Sequence, residues 1–211
     1  LSASGRHGPV SAPRPVEESE PAPAGQVSEE TALGAALGFT RAIDWVNARF
    51  GTLANWCILI SCLISAGNAM VRYGIGTSSN AWLEIQWYLF SAAFLLGASY
   101  TLKVNEHVRV DIAYAVIGER GRLWVDLIGI IFFLFPATTI LAWMTWPFFL
   151  DAYMRGEMSG NAGGLIRWPV KILMPLGFVM LTLQGVSEMI KRIAALMGLY
   201  QVETKYEKPL Q

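Results

Sequence analysis

The sequence is poor in the side chains from which reactive centres are built. Its 211 residues hold two histidines, two cysteines and only 15% charged residues, whose signs cancel to a formal net charge of zero. Each scarcity excludes something. A membrane cytochrome needs histidines inside its spanning helices. Here His7 lies in a Pro- and Ser-rich opening segment and His107 in a charged stretch, so no apolar run carries an axial ligand. Thiol–quinone exchange needs reactive cysteines at the membrane surface. Cys57 and Cys62 instead fall within one apolar run, about 140° apart on a helix of 3.6 residues per turn. Both read as core thiols, poorly placed for a disulfide. A charge balance of zero leaves no electrostatic footprint for nucleic acid. The segment GNAGGLIRWPVK lacks the GK[ST] ending of a phosphate loop, so Gly160, Gly163 and Gly164 read as turn formers.

What the sequence has instead is apolar length. With 54% hydrophobic residues and a mean hydropathy of +0.41, the chain belongs in a bilayer. Four runs are free of charge: Phe50 to Val71, Ile85 to Leu102, Leu127 to Leu150 and Ile172 to Ser187. A hydrocarbon core asks for ~20 predominantly apolar residues per helix, with ~17 tolerated. The first and third runs suffice alone. The second reaches that length with flanking residues that include Glu84, and the fourth with flanks that include Lys171 and Glu188. The expected fold is an all-α integral membrane protein with four transmembrane helices. Pro136 predicts a kink in the third, because it removes a backbone donor and crowds the preceding turn. Pro169 suits the first turn of the fourth, and Pro175 bends that helix further in.

Residues 1–30, rich in Pro, Ser, Ala and Glu, read as a disordered tail. Through 31–49 and on to the next residue, Phe39, Ile43, Val46 and Phe50 recur as one apolar stripe while Arg41, Asp44 and Arg49 point elsewhere. This predicts an N-terminal amphipathic helix in the membrane interface, with Trp45 near the headgroups; the alternative is a plain extension of the first span. The four-helix domain then covers 50–200, and 201–211 forms a second tail. Ten Lys and Arg residues, among them Arg41, Arg109, Arg122 and Lys191, gather on one side of the membrane. Four, Arg72, Arg155, Arg167 and Lys171, fall on the other. The positive-inside rule puts both termini in the cytoplasm.

Glu84 is the one carboxylate near hydrocarbon that invites a functional reading. It stands among Trp82, Trp87 and Tyr88, an interfacial aromatic group, and Arg72 at the end of the preceding span is its expected structural partner. Asp126 follows Arg122 at i+4, and Glu188 precedes Lys191 and Arg192 by three and four, spacings that suit ion pairs without catalysis. Asn55, Asn68, Gln86, Thr138, Thr139 and Gln184 read as hydrogen-bonding links between helices, and the methionines as packing. No enzyme chemistry, metal site or cofactor is expected. The pattern fits an accessory membrane subunit. The competing reading is a small stand-alone transporter or channel, acting as a homo-oligomer with Glu84 as its coupling site.

Three segments carry a resemblance: WLEIQWYLFSAAFLLGASYTLKVNEHVRVD at 82–111, LWVDLIGIIFFLFP at 123–136, and GEMSGNAGGLIRWPVKILMPLGFVMLTLQG at 156–185. Together they resemble the small membrane subunit, DctQ type, of tripartite ATP-independent periplasmic (TRAP) transporters. The resemblance implies a four-helix, non-catalytic scaffold in the bacterial inner membrane, set among membrane lipids. Its partners would be a large permease subunit, which carries the substrate and sodium sites, and a periplasmic substrate-binding protein that delivers an organic acid. On that reading His107, Arg109 and Asp111 brace the cytoplasmic loop or grip the larger subunit, with Arg109 offering a bidentate fork. Glu157, Ser159, Gly163 and Gly164 become candidate contacts for the binding protein.

Overall fold

The computed structural model describes the backbone at residues 24–77, 79–105 and 117–200, and the side chains within those ranges from residue 34 onward. The chain divides into two units, Leu1–Gly34 and Ala35–Gln211, and the packed helices belong to the second. The helices are α1 (Ala24–Ile75), α2 (Asn80–Val104), α3 (Glu119–Gly129), α4 (Phe135–Met154), α5 (Trp168–Lys171) and α6 (Leu173–Leu196). A π-helical turn, Ile130–Leu134, joins α3 to α4. Among the described residues three stretches are long and apolar enough to cross a membrane: Gly34–Ile75, Glu119–Met154 and Trp168–Leu196. The 25 residues of α2 fall outside that set, although at 1.5 Å per residue they measure about 37 Å.

The packed surfaces are small and the outward surfaces are large and apolar, the inversion that a lipid solvent permits. α6 is central, packing along both α2 and α4. Gly177 makes the first approach possible: a Cβ there would stand 2.9 Å from the Leu95 carbonyl oxygen. At Gly185 the same atom would meet Leu134 at 2.8 Å. A hydroxyl pair adds to this seam, Thr182 Oγ1 donating to Thr138 Oγ1 at 2.8 Å. α1 meets α2 through Ala54, Cys57 and Ala93. Phe132, Phe133, Trp143 and Met144, by contrast, are exposed.

Local chemistry sets the helix ends. Ser79 caps α2, its hydroxyl accepting from the Ala81 N–H at 3.3 Å. Asn105 ends it in the left-handed region at φ 61, which asparagine tolerates. α4 closes on Gly156 at φ +60, with Gly156 N–H to Tyr153 O and Glu157 N–H to Ala152 O, the paired bonds of a Schellman end. The distortion expected at Pro136 takes the form of the π-turn before it. Proline cannot donate to the carbonyl one turn back, and the Phe135 N–H reaches Ile130 O instead. The fourth apolar run breaks at Ile172, between α5 and α6. Pro175 has no N–H to return to the Lys171 carbonyl, so the helix restarts there.

Two expectations change. The boundary between an interfacial helix and the first span is absent: α1 runs unbroken past Phe50, with no proline anywhere in it. Its buried face there is also not the apolar stripe. Thr40, Asn47, Gly51 and Ala54 are buried, while Phe39 and Trp45 are exposed. Cys57 is buried as expected, but Cys62 is exposed, because the helix turns it away from α2. The disordered reading of 1–30 falls mostly outside the described residues, and α1 begins within it, at Ala24.

Candidate functional site: two polar clusters at opposite ends of α6

At one end, the loop after α4 folds back over the start of α2. Its backbone forms a short antiparallel bridge between Met158 and Ile166, with Ser159 N–H to Leu165 O at 2.8 Å and Arg167 N–H to Glu157 O at 2.8 Å. Glu84 is the post it closes on. The residue is 5% exposed, and its carboxylate takes three donors: the Ser159 hydroxyl, the Asn161 amide at 2.7 Å and the Leu165 N–H at 2.7 Å. Two further bonds fix the loop to α2, from Asn80 to Ala162 O and from the Tyr88 hydroxyl to Ile166 O. Beside them Glu157 binds Lys171 and, at 3.4 Å, Arg167. The Lys171 hydrogen bond chiefly holds the Glu157 carboxyl below the usual carboxylate range, against a smaller desolvation effect that raises it.

Glu84 therefore does not pair with Arg72. Among the described residues Arg72 makes no ion pair with it, and it lies exposed in the last turn of α1. The three loop donors satisfy the carboxylate in its place. Of the four loop residues expected to meet a binding protein, Glu157 and Ser159 are turned to these internal bonds. Gly163, at φ +70, adjoins open space, whereas Gly164 packs against Ser159 and Asn161. Asn161 is a functional residue that sequence reasoning missed, since nothing in the loop's spacing shows that it folds onto α2.

The second cluster lies near the C-terminal end of α6, about 30 Å away at 1.5 Å per helical residue. Lys191 sits between Asp44 at 2.6 Å and Glu188 at 2.9 Å. Arg192 bridges Glu188 at 2.5 Å and Asp126 at 3.0 Å, tying α6 to α3. Gln184, wholly buried, accepts from Asn47 at 2.6 Å and donates to Asp44 at 2.9 Å and Glu188 at 3.0 Å. Ser187 adds a bond to Asp44 at 3.3 Å, and Lys103 from α2 donates to the Asp44 carbonyl at 2.9 Å. Four helices meet here. Buried charges need such closure, because an ion removed from water without a partner costs several kcal/mol, of order 3–5.

The expected pairing of Glu188 with Lys191 and Arg192 is present, and Gln184 is a helix-linking amide as read. Asp126 has a partner across the fold in Arg192, and Arg122 donates from Nε to Ile117 O at 3.0 Å. Asp44, Asn47 and Ser187 were not foreseen as a group. The signal for them was the polar stripe Thr40, Asp44, Asn47, Gly51, one residue on from the apolar one and so about 100° round α1 from it. His107, Arg109 and Asp111 lie outside the described residues. Among the described residues no group of three or more His, Cys, Asp or Glu side chains is arranged to hold a metal.

The geometry thus shows ionisable side chains bound to one another at the two ends of an apolar bundle. Neither a curated protein nor a solved structure matches the chain. A family does: the model for the DctQ component of tripartite ATP-independent periplasmic transporters matches residues 61–195. That match spans more than half of the sequence, and the chain belongs to the DctQ family, the small permease subunits of TRAP transporters.

Proposed function

We propose that this small permease subunit is a scaffold for the large permease subunit of a sodium-coupled, binding-protein-dependent importer of organic acids. One observation carries the reading: the carboxylates of both clusters, buried at Glu84 and Glu188 and half-buried at Asp44 and Asp126, are spent on internal bonds. Glu84 faces three donors, and Asp44, Asp126 and Glu188 face Lys191 and Arg192. Coupling sites in transporters need polar groups that exchange ions or protons near the bilayer midplane. A carboxylate locked by a folded loop suits bracing, which weighs against Glu84 as the coupling site of a stand-alone transporter.

On this reading α2 is the fourth span, both termini face the cytoplasm of a bacterial inner membrane, and the loop at 155–167 faces the periplasm. Bracing of that loop from within makes it a stiff platform for the substrate-binding protein, with Met158, Ile166 and Gly163 on its outer side. His107, Arg109 and Asp111, in the segment between α2 and α3, are assigned to the cytoplasmic edge. Affinity purification of the tagged full chain from its native membrane tests the proposal. It should bring down a much larger multi-helix permease in constant ratio; recovery of homo-oligomers alone would contradict it.

A further inference from the structure

The loop cluster leaves a space that the bracing does not use. α2 and α4 both pack on α6 while making little contact with each other. Beside the loop a groove of about 240 Å³ opens between them, lined by Trp87, Ser91, Phe148, Arg167, Lys171 and Met174 among others. Trp87, Phe148 and Met174 make its walls apolar, and Glu84, Arg167 and Lys171 bring charge to its mouth beside the loop.

The charges at the mouth are unequally engaged. The Glu84 oxygens already accept from Ser159, Asn161 and Leu165, and Lys171 is held by Glu157 while lying 3.8 Å from the Phe148 ring centre. Arg167 differs. Its side chain is 45% exposed, and its bond to Glu157 through Nη1 is a weak 3.4 Å, which leaves guanidinium donors for a further acceptor. A planar fork of this kind matches phosphate oxygens. Trp87 lines the same cavity, and Trp168, next in the chain to Arg167, packs edge-to-face on Tyr153 at 5.6 Å between centroids; aromatic residues of this kind mark a membrane–water boundary. A cationic fork at headgroup depth above an apolar groove describes an amphiphile with a phosphate head.

We propose that this groove binds a single phospholipid, its phosphodiester held by Arg167 and one acyl chain lying along α6 between Trp87, Ser91 and Phe148. Two cations, Arg167 and Lys171, are matched by two carboxylates, Glu84 and Glu157, so the site has no net charge with which to demand an anionic lipid. Zwitterionic and anionic headgroups are both accepted through the phosphate they share. The site belongs to this chain alone and does not depend on what the transporter carries.

Native mass spectrometry of the full chain in detergent tests this, with phosphatidylethanolamine, phosphatidylglycerol and inorganic phosphate as probes. The wild type should retain one phospholipid of either class. Arg167→Gln should weaken retention about tenfold, the worth of one charge-assisted hydrogen bond, and Ser91→Trp should abolish it by filling the groove with the charges intact. Unchanged retention in both variants would overturn the proposal. So would displacement of the lipid by inorganic phosphate, which would mark an anion site with no role for the groove. A cross-link from Ser91→Cys to a permease helix in native membranes would also overturn it, assigning the groove to protein.

Discussion

Lys191 illustrates how single residues hold this bundle. Its ammonium stands between Asp44 and Glu188, so Lys191→Met leaves two carboxylates facing each other with one cation fewer. The expected loss is about 3–5 kcal/mol, the cost of breaking a buried pair, read as a lowered unfolding midpoint in detergent. Glu157 makes a pH prediction. Its folded carboxyl titrates below the usual range because of Lys171, so its contribution is fully present above the unfolded carboxylate value and is lost as pH falls through the depressed folded one. Protection factors at 157–167, which remove the intrinsic pH dependence of amide exchange, should therefore hold from neutral pH to the ordinary carboxylate range and decline as pH falls from there through the depressed folded value. In Lys171→Met, with the main cause of the depression removed, that decline should be much smaller. How much of this was readable depended on sequence distance. Glu188, Lys191 and Arg192 announce themselves by helical spacing, whereas Asp44 meets Gln184 across 140 positions, and no local pattern encodes that.

Among the elements, α6 depends on glycine at its closest approach. Gly177→Val should push α2 and α6 apart and destabilise by about 1–3 kcal/mol, as overpacking does. Gly67→Ala, where an added Cβ meets nothing within 4 Å, should leave the same thermal unfolding measurement unchanged or slightly raised. The helices themselves were legible from apolar run lengths, and Pro136 and Pro175 marked where α4 and α6 begin irregularly. The course of α1 was not. A stripe of Phe39, Ile43, Val46 and Phe50 satisfies the rule for a helix lying on a membrane, but that rule assumes water on the other side. Here the neighbouring polar face carries Asp44 and Asn47 into contact with α6, so burial follows polarity and small size. The loop fold was illegible for a related reason: Ser159 and Asn161 gain their role only when the chain returns to Glu84.

At the scale of the whole molecule, the polar clusters act as two fasteners about 30 Å apart, estimated from helical rise, and the apolar surface between them is left to face lipid or a larger partner. Family membership makes the chain a small permease subunit of a TRAP transporter, and this distribution of charge fits the scaffold role proposed for it. The direct measurement is sodium-driven uptake of organic acid into proteoliposomes supplied with a substrate-loaded binding protein. Vesicles containing this chain alone should show none, and uptake should arise only when the large permease is added, surviving Glu84→Gln at a reduced rate. Uptake by this chain alone, abolished by Glu84→Gln, would contradict the scaffold account and make Glu84 the coupling site.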